Sequence, residues 1–157
     1  MKRTPNVVTK VPKNGKIGCL KNVDLIAEHD AISQKRGSVL FGRVGRSFAK
    51  EKISLLRDAI QECQKPMLYL IRKSESDYDF YQTEIIDIWG QGHRPDIAHC
   101  PAYYRELYET ISLWIEIRCF ERIEKDGLMS LRLASTGRPI LELLGSQASL
   151  MLAESIK

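Results

Sequence analysis

Between Leu113 and Ile123 the apolar residues Leu113, Ile115, Ile117, Cys119 and Ile123 alternate with Trp114, Glu116, Arg118, Phe120 and Arg122. Period-two alternation marks a half-buried β-strand, and this register predicts Ile115, Ile117 and Cys119 buried together. The second face sets two aromatics among two arginines and a glutamate, which suits a ligand with flat rings and negative charge. A covering helix over the aromatics, with the charges paired at an edge, accounts for the same residues.

Other segments follow in turn. Val39, Leu40 and Phe41 form a short buried strand that ends in the basic turn Gly42-Arg43-Val44-Gly45-Arg46. Its glycine spacing would let a ligand come close. Ser47 is placed to cap a helix whose Phe48, Ile53, Leu56, Ala59, Ile60 and Cys63 share one stripe, and Pro66 closes it. Met67 to Ile71 reads as a central strand, Arg72 to Asp79 as a polar connection and Phe80 to Trp89 as a further strand. A loop from Gly90 runs past Pro101, and Tyr103, Tyr104, Leu107 and Tyr108 suit one or two helical turns. After the alternating strand, the turn at Lys125-Asp126-Gly127 predicts Leu128 to Ala134 as its hairpin partner. Pro139 opens a short helix over Ile140 to Leu144, and Ser149 to Glu154 is a last strand.

Met1 to Gly18 carries four lysines, two prolines and two glycines, with few large apolar groups besides Val7, Val8 and Val11. It reads as an extended or mobile arm. Asn22 can cap a weak helix in which Val23, Ile26 and Ala27 share a face up to about Ile32. Residues 1–37 are thus expected to be a basic arm with a short helix, and 38–157 the folded domain.

The chain has 157 residues, enough for one domain with a real core. Lys and Arg total 24 against 20 Asp and Glu, and a net charge of +4 permits an anionic partner without demanding one. Cys19, Cys63, Cys100 and Cys119 show no CxxC spacing and no signal peptide is evident, which points to reduced thiols in a cytoplasmic protein. No apolar run approaches the length of a bilayer span, so no membrane partner is expected.

The element order, with Ser38 to Phe41 feeding a helix, a Tyr103-Tyr104 loop and Trp114-Ile115-Glu116-Ile117 on a strand, resembles the PUA-like superfamily and within it the EVE-type domains. The resemblance spans roughly residues 38 to 154. It implies an α+β fold, a PUA-like mixed β-barrel with flanking helices, and a concave aromatic pocket for a flipped or unpaired base, often a modified one. Gly42-Arg43-Val44-Gly45 stands where such domains usually begin Lys-Ser-Glu-Pro.

Read on their own chemistry, Arg36, Arg43, Arg46, Lys50 and Lys52 gather around the first strand and the start of the long helix, where anions are favoured. Tyr69, Trp89, Tyr103, Tyr104 and Trp114 offer stacking plates. The expected function is a nucleic-acid-binding module for DNA or RNA. Trp89, Tyr103, Tyr104 and Trp114 would stack the base, while Arg43, Arg46 and Lys50 would hold phosphate. No cofactor or metal is expected, because His93, His99 and Cys100 lack a matched fourth ligand: His29 is distant and Cys119 should face the core. Two alternatives compete. An ASCH-like enzyme acting on a nucleobase derivative would need a lysine or tyrosine beside a carboxylate, from among Lys73, Glu75 and Glu116, and a dimerising interaction domain would show Trp114 and Phe120 on an exposed patch.

Overall fold

The computed structural model describes residues 3–12, 24–90 and 92–156. Its strands are β1 (Arg3–Val11), β2 (Val39–Val44), β3 (Met67–Lys73), β4 (Tyr78–Gly90), β5 (Ile111–Ile123), β6 (Arg132–Leu133) and β7 (Leu150–Ile156). They join one mixed sheet in the order β2-β5-β4-β3-β1-β7-β6. Among the described strands only the β1–β3 pair is parallel. Among the described residues two helices, α1 (Leu25–Arg36) and α2 (Lys50–Gln61), and short 3-10 turns complete an α+β fold. Among the described residues no helix is long and apolar enough to cross a membrane.

The expected barrel is not closed. Hydrogen-bonded pairing stops at β2 on one side and at the two-residue β6 on the other. A side chain spans the gap instead: Arg43 of β2 donates from Nη2 to Ser149 Oγ at 2.9 Å and from Nη1 to the Lys10 carbonyl at 3.4 Å.

The segment expected to be an arm supplies a central strand. β1 lies between β3 and β7, with Val7 and Val8 fully buried, so it shares one sheet with the elements after residue 38. Its polar Thr4, Asn6 and Thr9 are buried too; Asn6 and Thr9 find partners there, while Thr4 Oγ1 has none among the described residues. Asn6 donates to the Thr4 carbonyl and to Ser155 Oγ and accepts from Met67 N–H, and Thr9 donates to the Ser149 carbonyl. Pro5 is tolerated because pairing with β3 begins only at Val7, leaving Pro5 opposite β7 alone. Residues 13–23, including Cys19 and the expected cap Asn22, lie outside the described residues.

Two irregularities in the β4–β5 ladder decide which side chains face which way. Between Gln82 and Glu84, β4 advances two residues while β5 steps three, from Glu121 to Arg118. The extra residue is a bulge containing Cys119, whose φ is +59°. Alternation inverts there. Ile115 and Ile117 are buried as expected, but Cys119 is exposed and Phe120 turns into the core that holds the two isoleucines. The second irregularity lies between Ile85 and Asp87, where β5 steps only from Ile117 to Glu116. It sends Ile88 into that same core and sets Trp89 directly opposite Trp114 on the other face.

The main core lies between the sheet and α2, which contributes Leu56, Ile53 and Ile60, with Phe48 just before it. Ser47 does not cap α2. The helix starts at Lys50 after an uncapped Ala49, and Ser47 sits earlier, outside any helix or strand and beside Gly90. Cys63 leaves the stripe because the helix ends at Gln61 and Cys63 turns left-handed. α1 is capped by Asp24, which accepts from Ala27 N–H, and is ended by Gly37 at φ +91°. Leu128 and Leu131 fold onto the opposite sheet face with Ile140 and Met151, so the chain after β5 makes no hairpin with it. β6 pairs with β7 instead.

Candidate functional site: a pocket beside Trp89

The segment from Pro95 to Tyr108 folds over the outer face of β2 and β5, and its rings pack on Trp114. Tyr104 meets Trp114 edge-on at 5.4 Å and 83°, Tyr108 lies 5.7 Å from it, and Tyr103 lies 4.9 Å from Tyr104. Trp89, Tyr103, Tyr104 and Trp114 thus share one cluster. Trp114 and Tyr104 are closed inside it, at 0% and 1% exposure, and leave no slot for a base between them. Gly42 belongs to the same packing: a Cβ there would come within 2.8 Å of Ile111 and 3.3 Å of Trp114, so its small size admits these side chains rather than a ligand.

His29 of α1 supports the cluster from below. Its Nδ1 donates to the Leu25 carbonyl, which can only accept, so Nε2 is the acceptor for the Tyr104 hydroxyl at 3.0 Å. Burial lowers the His29 pKa to about 4 despite backbone hydrogen bonds that act the other way. Burial also raises the Tyr103 and Tyr104 phenols, keeping them neutral.

Trp89 is half-buried, and of the four aromatics it alone lines the open pocket beside the cluster. This pocket, of about 250 Å³, is bounded by the end of α1, the start of β2, the end of β4 and the 95–99 segment. Arg36, Ser38, Asp96, His99 and Glu116 bring the polar groups. Glu116 sits opposite Leu40 and Asp87 in the ladders, on the same face as Trp114. Its Oε2 accepts from the Ser38 hydroxyl at 2.6 Å. A second recess of about 280 Å³ shares Ile32, Arg36 and His99 with the first and adds Lys35 and Arg105. Among the described residues, no ion pair involves Lys35, Arg36 or Arg105.

The other sequence candidates are dispersed. Arg43 is held by Ser149 and Lys10, exposed Arg46 borders a separate opening with Lys52, and Lys50 lies with Arg57 and His93 beside the end of β4. The three do not meet at one place. Tyr69 packs under the 128–143 segment. Arg118 is paired with Glu84 and Arg122 with Asp79, while Lys73 and Glu75 lie at the β3–β4 turn and do not line the pocket. Cys100 is buried beside Trp114, and among the described residues no three His, Cys, Asp or Glu side chains gather. Ser38, Asp96 and Arg105 were not singled out by sequence. Each is an ordinary polar residue until the fold brings Ser38 and Asp96 to the pocket and Arg105 to the recess beside it.

Compared with protein-family models, curated proteins and solved structures, the chain finds no match in any of the three.

Proposed function

We propose that this chain is a nucleic-acid-binding module that holds one unpaired or extruded base in the pocket beside Trp89. The observation that carries the reading is the junction of two unlike recesses: one with an indole and a carboxylate, the next with Lys35, Arg36 and Arg105. An extruded base needs an apolar plate, polar groups for its edge and cations for the flanking phosphates. A volume of about 250 Å³ lies just below the range of about 300–1,000 Å³ usual for drug-sized ligands, which suits a single ring system. A PUA-like relationship is supported by element order: β2 feeds α2, β3 and β4 form a hairpin, and an aromatic segment precedes β5. Exposed Cys63 and Cys119, free among the described residues, accord with a cytoplasmic setting.

Binding is favoured over catalysis because Glu116 has no lysine or tyrosine beside it among the pocket residues. A docking patch is less favoured, since Trp114 is buried and Phe120 lies in the opposite core. The test is a titration of short labelled single-stranded DNA and RNA by fluorescence anisotropy over a range of salt. Binding at low salt is expected, with a salt slope that falls by about 0.7 for each of Lys35, Arg36 and Arg105 replaced by alanine if each neutralises one phosphate. Absence of binding at low salt overturns the reading.

A further inference from the structure

We infer that the base taken by the Trp89 pocket is guanine, or a derivative that keeps the N1–H and 2-amino donors; this rests on the nucleic-acid reading above. The side chains where the chain enters β2 and at the middle of β5 present acceptors to the pocket. Glu116 has its Oε2 on Ser38, and its Oε1 has no hydrogen-bond partner among the described residues. The Ser38 proton is used on Glu116, which leaves that hydroxyl only lone pairs to offer. Asp96 adds a second carboxylate, one of whose oxygens already accepts from Ala98 N–H.

Arg36 and His99 also line this pocket, but the end formed by Glu116 and Ser38 offers acceptors and so selects a donor edge. Guanine alone among the common bases places two donors side by side, N1–H and the 2-amino group, at the spacing of a carboxylate's oxygens. Adenine and cytosine put a ring nitrogen lone pair beside their amino group, and uracil and thymine flank N3–H with two carbonyls. Each of these turns an acceptor toward Glu116. Glu116 and Asp96 repel phosphate from the carboxylate side of the pocket, so the nucleotide lies with its base there and its phosphates toward Arg36, which lines both openings, and Lys35 and Arg105 in the recess beside it. Trp89 then lies beside the base as its stacking partner.

The experiment uses single-stranded oligouridylates carrying guanine, adenine, cytosine or uracil at one central position, titrated into the full chain by isothermal calorimetry. Guanine should bind about tenfold tighter than the other three, as one bidentate pair allows. Glu116→Gln should bring the four to near parity while preserving the salt slope, because the cations are untouched. Ser38→Ala, which frees Glu116 to turn, is the second variant and should reduce the guanine preference in part. Equal binding of all four by the unaltered protein, or a guanine preference that survives both substitutions, overturns the inference and leaves nucleic-acid binding standing. Failure of every oligonucleotide to bind overturns both.

Discussion

Trp89 and Trp114 are direct cross-strand partners on β4 and β5, yet Trp114 is fully buried and Trp89 is only half-buried at the pocket. Tyr104 and Tyr108 cover the first and stop short of the second. Their adjacency means that a stable aromatic core ends in one ring available to a ligand.

The two tryptophans should therefore fail differently. Trp114→Ala should cost about 3–5 kcal/mol of stability, the usual range for emptying a buried aromatic site. Trp89→Ala should cost less and instead weaken oligonucleotide binding by about 1–3 kcal/mol, the value of one stacked base. Urea denaturation and anisotropy on both variants separate the effects.

Deletion of residues 1–11 should abolish folding. β1 pairs with β3 and β7 and buries Val7, Val8 and Val11 between them, so its loss splits the sheet and opens both cores. A cooperative melting transition in the truncated chain, followed by circular dichroism, would contradict this arrangement.

Much of the sheet was legible because its strands advertise burial. Met67 to Ile71 is almost wholly apolar, and β5 alternates cleanly as far as Ile117. β1 was not legible: Asn6 and Thr9 look like solvated residues until their partners, Ser155 and Met67 for the first and Ser149 for the second, are known. The bulge at Cys119 is equally silent, since one inserted residue leaves the composition unchanged while exchanging the faces of Cys119 and Phe120. The pocket was the least legible feature. Arg36, Ser38, Trp89, Asp96 and Glu116 come from separate parts of the chain, and only the β2–β5–β4 register brings them together.

Stability should depend on pH through His29. Its pKa falls from 6.5 to about 4 on folding, so between these values the unfolded chain binds more protons than the native one. The contribution is fully present above about pH 6.5, is lost as pH falls toward 4 and does not change further below it. Its full size is about 3 kcal/mol. Carboxylates titrate in the same region, so the diagnostic quantity is the difference from His29→Gln, whose stability should fall less steeply from pH 6.5 to 4.

Arg43→Met should lower stability by about 1–3 kcal/mol, through loss of charge-assisted hydrogen bonds to Ser149 and Lys10 across the gap between the two ends of the sheet. The salt slope of oligonucleotide binding should stay as it was, because this guanidinium is committed within the protein. Thermal melts and salt titrations on one preparation check both halves.

The most direct measurement is a two-dimensional ¹H–¹⁵N spectrum of the labelled protein, in which its two tryptophans give two indole N–H signals, recorded while a guanine-containing single-stranded oligonucleotide is added. The Trp89 signal should shift progressively with the backbone amides of Arg36, Ser38 and Glu116, while the Trp114 signal, sealed under Tyr104 and Tyr108, should move little. A binding curve with no change at Trp89, or with changes confined to Lys50, Arg57 and His93 at the other side of β4, would contradict a base site in this pocket.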